Sequence, residues 1–199
     1  MAFVVAIVAV APLRSEAAHR SEMVSQLLFG ETAEIIEGGQ LLQTGSFTKI
    51  KCSNDGYEGW CQSAQLAIIP DEMMMRKSNA IMPDYSNSLL LNGAKMQVPF
   101  GASLSLFQTQ QLSLPGLTFQ YEGNIFIPGV IPFTPESVKQ VAALFINTPY
   151  LWGGRSVFGI DCSGFVQQVY AYFNIQLPRD AYQQAGMGKD IGFLAETIC

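Results

Sequence analysis

The pattern of this sequence changes once, near Thr134, and that change limits what the chain can fold into. Before it, short apolar stretches at residues 3–10, 33–36, 47–52 and 57–61 are cut by Gly30, Gly38-Gly39, Gly45 and Asp55-Gly56. That punctuation predicts short strands joined by tight turns. After it, Thr134 is placed to cap a helix with Pro135 in the first position, where a missing N–H is harmless. Val138, Val141, Ala142 and Phe145 then follow the i, i+3, i+4, i+7 spacing of one buried helical face. Asn147-Thr148-Pro149 closes that segment. A second helical pattern, Phe165, Val166, Val169, Tyr170 and Phe173, runs on towards Pro178. The expected class is α+β, with strands first and helices last.

Composition removes several function classes. Of 199 residues, 49% are hydrophobic and 14% charged, so there is ample apolar surface to bury and little repulsion against burying it. Eleven Lys and Arg against sixteen Asp and Glu leave −5, which argues against a nucleic-acid partner held by phosphate neutralisation. No apolar run approaches the roughly 18–20 residues that cross a bilayer, so no membrane partner is expected. Residues 2–11 read as a buried first strand. The other reading, the apolar region of an export signal, lacks a preceding Lys or Arg and a polar spacer to a cleavage site. Four cysteines are too few for a disulfide scaffold, and a two-residue Asp55-Gly56 turn would set Cys52 opposite Gly59 and Ile50 opposite Cys61. A reduced, cytoplasmic compartment is the expectation, with export as the alternative.

Four segments follow. Residues 1–68 form a β unit in which Gly59-Trp60 supplies a large aromatic anchor. Residues 69–88, with both charge signs, prolines and Met73-Met74-Met75, read as a linker. Those thioethers suit adaptable packing better than a metal, since alone they would hold only a soft ion. Residues 89–130 form a second β unit that echoes the first: Phe29-Gly30 returns as Phe100-Gly101, and Tyr57-Glu58-Gly59 as Tyr121-Glu122-Gly123. Two small barrels of one kind are expected. Residues 131–199 carry the helices. No Cys-x-x-Cys or His-x-x-x-His pair supports a metal, Gly153-Gly154 and Gly159 lack the Lys-Ser/Thr end of a phosphate loop, and no cofactor is expected.

The chemistry concentrates at Asp161-Cys162-Ser163-Gly164. Cys162 begins the second helix, where unpaired N–H groups and partial positive charge favour a thiolate. The same amides can donate to an oxyanion formed when a thiolate attacks a carbonyl. A small buried core residue is the plainer reading of a lone cysteine. Gly164, two residues on, keeps the approach open.

Three motifs in order shift that balance. Tyr150-x-Trp152-Gly153-Gly154, Asp161-Cys162-Ser163-Gly164-Phe165-Val166 and Leu177-Pro178-Arg179-Asp180-x-x-Gln183-Gln184 resemble the NlpC/P60 family of papain-like cysteine peptidases. Residues 1–68 resemble the bacterial SH3 domain that precedes the catalytic domain in γ-D-glutamyl-L-diamino-acid endopeptidases, through Leu13-Arg14-Ser15-Glu16, residues 21–26 and Asp55-Gly56-Tyr57-x-Gly59-Trp60. The resemblance implies Cys162 as nucleophile on a γ-D-glutamyl carbonyl, with Tyr150 beside it and Asp161 and Ser163 shaping the site. It implies Asp180, with Glu22 and Tyr57 from the SH3 domain, as the receiver of a free L-Ala amine. The partner would then be a peptidoglycan-derived peptide, L-Ala-γ-D-Glu-diamino acid, and the process cell-wall peptide turnover or recycling.

One departure is plain. The family's general base is a histidine downstream of the cysteine helix, and the only histidine here is His19, in the presumed first loop of the first β unit. General acid–base help is typically worth about 10²–10⁴-fold, so the 199 residues are expected to hydrolyse poorly or not at all. They read as an incomplete peptidase domain, with no sheet to cover the two helices. Two other readings compete: a non-catalytic peptidoglycan-binding SH3 protein, and a papain-like amidase or acyltransferase. Asp180 counts against the last, because an acyl chain offers no amine.

Overall fold

The computed structural model describes residues 2–38, 45–75 and 78–189; Gly39 and Cys199 lie outside them. It is α+β with antiparallel sheets. In the first unit, β1 (Phe3–Ala6), β2 (Val10–Arg14), β3 (Met23–Leu28), β4 (Thr32–Glu37), β5 (Phe47–Cys52), β6 (Glu58–Gln62) and β7 (Leu66–Ile69) form one sheet in the order β3-β2-β6-β5-β4-β1-β7. Alternation decides the faces: along β5, Thr48, Ile50 and Cys52 are buried while Lys51 is exposed. The apolar run at residues 2–11 is two strands rather than one. It turns at residues 7–9, where Ile7 N–H donates to the Gln65 carbonyl and the Ala9 carbonyl accepts from Phe29.

The β5–β6 hairpin corrects two expectations. Its register pairs Ile50 with Gly59 and Thr48 with Cys61, and Cys52 N–H donates to the Tyr57 carbonyl. The turn is longer than two residues because the Asp55 carboxylate accepts from Tyr57 N–H and Gly56, at φ +71°, donates back to the Cys52 carbonyl. Cys52 and Cys61 are buried and unbridged. Period two then puts Gly59 and Cys61 inside, so Trp60 faces the other way and is only half-buried. The place expected for an aromatic anchor is filled by Leu13, whose Cβ would lie 3.0 Å from a Cβ at Gly59.

The stretch at residues 69–88 is packed rather than a free linker. Ile69 ends β7, α1 (Asp71–Met74) makes one turn, and Met82 is fully buried. Beyond it, β8 (Ser86–Leu91), β9 (Ala94–Pro99), β10 (Gln111–Leu114) and β11 (Leu117–Gln120) form a sheet ordered β10-β11-β8-β9. Its core of Met82, Leu89, Val98, Leu112 and Phe119 also takes in Val5, Phe29 and Ile69. The first unit keeps a core of its own around Leu13, Leu27 and Ile50 and lends Val5, Phe29 and Ile69 to the second, into which Met82 is drawn. Of the two sequence echoes, the first has a structural counterpart: Phe29 and Phe100 are both buried, and Gly30 and Gly101 both have positive φ. The second has none. Glu58 and Gly59 belong to β6, whereas residues 121–123 follow β11.

In the last unit α2 (Pro135–Ala143) starts as expected, with Thr134 and Ser137 bonding each other's backbone N–H in a capping box. The short ribbon β12 (Arg155–Ser156) and β13 (Gly159–Ile160) leads into α3 (Cys162–Tyr172), and α4 (Ala181–Ala185) follows. Val141 and Phe145 near α2 meet Val169 and Phe173 on the α3 side, with Phe100 from the second β unit completing the cluster. The helices therefore find cover in each other and in Phe100, which the sequence reading had left unaccounted for.

Candidate active site

Cys162 is the first residue of α3 and its side chain is exposed, unlike those of Cys52 and Cys61. Its neighbours explain the geometry. Asp161 caps the helix, accepting from Gly164 N–H at 2.7 Å through Oδ1. Through Oδ2 it accepts from Gly153 N–H at 2.9 Å, tying the Trp152-Gly153-Gly154 turn to the helix start. Gly164 lets α3 approach that turn; a Cβ there would stand 2.2 Å from the Gly154 carbonyl oxygen. The amides of Cys162 and Ser163 open the helix and have no intrahelical acceptor, so both can receive an oxyanion.

Asp161 and Ser163 are buried and turned to Arg179. The guanidinium, itself 2% exposed, donates to Asp161 Oδ1 at 3.0 Å and Oδ2 at 2.6 Å, to Ser163 Oγ at 2.6 Å, and to Ser25 Oγ at 3.2 Å. Burial works against the Asp161 charge, but the Arg179 hydrogen bonds and the Gly164 and Gly153 amides outweigh it and hold the carboxyl below its usual range. One ion pair therefore fixes the cap of the thiol-bearing helix and fastens it to β3 of the first unit. A second pair ties β12 and α3 to the first unit: Arg155 donates to both carboxylate oxygens of Glu31 at 3.0 and 3.2 Å, to the Gln26 carbonyl and to Gln167.

The residues expected to receive an amine come together. Tyr57 Oη donates to Asp180 Oδ1 at 3.3 Å across 123 positions of sequence. Burial, then the Asp180 carboxylate, push the Tyr57 hydroxyl up to about 12, so it stays protonated and donating at neutral pH. Asp180 precedes α4 without capping it, which leaves its carboxylate available. Glu22 accepts from the indole Nε1–H of Trp152 at 2.7 Å. Tyr150 bridges in parallel to Ile160, two residues before Cys162, and is 68% exposed. His19 lies elsewhere: its ring packs edge-on against Phe47, 5.0 Å between centroids.

Sequence reasoning missed both arginines, although Arg179 stood inside a quoted motif. It also missed the Trp152–Glu22 contact. A charged residue set among Leu177-Pro178 and followed by Asp180 was the available signal, since an arginine so placed needs a buried partner. Among the described residues, no group of three or more His, Cys, Asp or Glu side chains is arranged to hold a metal ion.

An exposed thiol thus stands at a capped helix start, with Tyr57 and Glu22 of the first β unit reaching Asp180 and Trp152 of the last one, and two protein families match parts of this sequence. Residues 13–66 match the bacterial dipeptidyl-peptidase SH3 domain, and residues 147–196 match the NlpC/P60 family, whose peptidases are cysteine peptidases. The two matches lie one after the other along the chain, the SH3-type match first. It is 47% identical over 58 residues to the γ-D-glutamyl-L-lysine dipeptidyl-peptidase of Bacillus subtilis, which covers 29% of this chain and 20% of that one. A probable endopeptidase of Haemophilus influenzae is 37% identical over 91 residues, 45% of this chain and 55% of its own. The γ-D-glutamyl-L-lysine dipeptidyl-peptidase of Bacillus cereus is 22% identical over 197 residues, 84% of this chain and 56% of its own. The chain thus spans between a fifth and just over half of the length of these relatives. A solved NlpC/P60 family protein from Bacillus cereus shares the fold, with a TM-score of 0.74 at 19% identity over 96% of this chain and 78% of that one.

Proposed function

We propose that this chain belongs to a cysteine peptidase that hydrolyses the γ-D-glutamyl bond of peptidoglycan stem peptides carrying a free N-terminal L-Ala. The observation that supports the reading is the Tyr57–Asp180 contact, joined to the exposed thiol through the Arg179–Asp161 pair at the two neighbouring positions. A bound ammonium would lie among two carboxylates and a phenol oxygen, which selects a peptide with a free amine over an N-acylated one. The Cys162 sulfur attacks the carbonyl carbon, the first amides of α3 receive the oxyanion, and the bond to the diamino acid breaks as its amine leaves. That amine needs a proton, and His19 is engaged at Phe47. These 199 residues alone are therefore expected to turn over slowly or not at all. Cleavage occurs in the cytoplasm on released peptides, or outside it if the protein is exported.

The test is hydrolysis of L-Ala-γ-D-Glu-diaminopimelate by the full-length protein, with Asp180→Ala and Tyr57→Phe beside it. Asp180→Ala is expected to lower kcat/KM by about 10²-fold, and an N-acetylated peptide should be cut poorly by both forms. An unchanged rate in Asp180→Ala removes that carboxylate from the amine site. The alternative, a peptidoglycan-binding protein without catalysis, predicts muropeptide binding that survives Cys162→Ala with no hydrolysis by any form.

The thiols give a second expectation. In the folded protein, iodoacetamide should label exposed Cys162 well before Cys52 and Cys61. Burial pushes the Cys61 thiol up to about 12 and the Cys52 thiol higher still. Peptide mass spectrometry over time reads the order, and equal rates at the three would deny that the first helix turn presents an open thiol.

A further inference from the structure

The last residue of the third motif, Gln184, reaches back from α4 with a half-buried side chain. Its Nε2 carries two protons, and both go to backbone: one to the Ser163 carbonyl at 3.0 Å, the other to the Pro178 carbonyl at 2.8 Å. Its own backbone N–H donates to the Asp180 carbonyl at 3.1 Å. Gln184 thus holds the residue after Cys162, the residue two before Asp180, and Asp180 itself. Arg179 links the same two segments, but it does so through the Asp161 carboxylate and the Ser163 hydroxyl. Those groups can turn about their own torsions, whereas a carbonyl moves only with the chain that carries it. The planar carboxamide therefore sets how far the backbone at Cys162 stands from the backbone at Asp180. Its neighbour makes the contrast: Gln183 is exposed, and its Nε2 donates to Tyr182 Oη at 3.3 Å on the same helix.

We infer that Gln184 is a positioning residue that fixes the spacing between the Cys162 thiol and the Asp180 carboxylate, and with it which carbonyl of an amine-anchored peptide is attacked. This rests on the reading of Cys162 as nucleophile and Asp180 as receiver of the free amine. A peptide held by its ammonium presents to the sulfur only the carbonyl that lies one such spacing away. In L-Ala-γ-D-Glu-diaminopimelate that is the γ-carbonyl of D-Glu. One further residue at the N-terminus carries that carbonyl past the sulfur. Misplacing reacting atoms by about 1 Å can cost as much as 10²-fold in rate, so a strap of this kind acts on selectivity as well as on speed.

The experiment measures kcat and KM of the full-length protein on L-Ala-γ-D-Glu-diaminopimelate and on the same peptide lengthened by an N-terminal Gly. Gln184→Met keeps the side-chain length and removes both donors, while Gln184→Glu keeps the shape and sets an acceptor against two carbonyls. On the shorter peptide kcat should fall about tenfold in Gln184→Met and further in Gln184→Glu, with KM within about threefold because the ammonium is still received. The preference for the shorter peptide, about 10²-fold in the parent protein, should shrink below about tenfold in both variants. Gln183→Met should match the parent. Gln184 is only half-buried and α4 buries no residue, so the denaturant midpoint should hold; should one Gln184 variant misfold, the other carries the test. A parent protein that leaves the shorter peptide uncut overturns the peptidase reading and this inference together. A parent that cuts it overturns the role of Gln184 alone if the Gln184 variants keep its kcat and its length preference, if their loss is confined to KM, or if Gln183→Met loses as much.

Discussion

Arg179→Met is expected to lower folding stability by about 3–5 kcal/mol, read as a drop in the denaturant midpoint at unchanged slope. The reason is what the substitution leaves behind. Asp161 stays buried and ionised without its two guanidinium hydrogen bonds, and Ser163 and Ser25 lose the group that joins them. Removing one partner of a buried pair strands the other charge, whereas removing both charges is far milder. The double variant Arg179→Met with Asp161→Asn should therefore recover much of the loss, since Asn still caps α3 through its side-chain oxygen. Acid adds a signature. The folded pKa of Asp161 is depressed, so its stabilisation is complete above the unfolded value of about 3.9 and is lost as pH falls through the folded value. The gap between wild type and Arg179→Met should consequently narrow below about pH 4. A loss under about 1 kcal/mol at neutral pH, the scale of an exposed pair, would mean that this network does not secure the helix start.

Gly153→Ala is the second large effect, with an expected loss of about 2–5 kcal/mol. Gly153 adopts φ +76°, and a Cβ there would stand 2.3 Å from the Met23 carbonyl oxygen on β3. Backbone cannot move aside as a flexible side chain can, so the turn must lift away from the first β unit. That displacement should also break the Trp152–Glu22 hydrogen bond, visible as a change in tryptophan fluorescence. Gly93→Ala is the control. It has φ +83° with nothing within 4 Å of the added carbon, so only the conformational penalty of roughly 1–2 kcal/mol remains. Equal losses in the two variants would show that strain alone, and not the close approach of the two units, sets the Gly153 requirement.

Local chemistry made much of this legible beforehand. The Thr134-Pro135 start, the apolar stripe of α2 and the placement of Cys162 at the head of α3 each depend on residues within one or two turns of each other, and all appear in the structure. The β5–β6 register escaped because a side chain, Asp55, lengthened the turn beyond what Asp-Gly alone implies. Met82 escaped because its burial is decided by a core that gathers Val5, Phe29 and Ile69 from far upstream. Arg155 and Arg179 escaped for the same reason at greater cost to understanding, since their partners lie as far as 129 and 154 positions away. Tyr57 and Glu22 were reached only through the family resemblance; no periodicity could have linked them to Asp180 or Trp152.

The two arginine clamps bear on how such proteins can be rebuilt. A chimera that grafted the thiol-bearing unit onto an unrelated targeting module would strip Glu31 from Arg155 and Ser25 from Arg179. The graft would expose the Gly153 turn as well, on the side where Met23 now seats it. Swapping modules here is thus not a matter of linker length: the recipient must bring a matching acid and hydroxyl to the seam, or the transplanted thiol will arrive on a loosened scaffold.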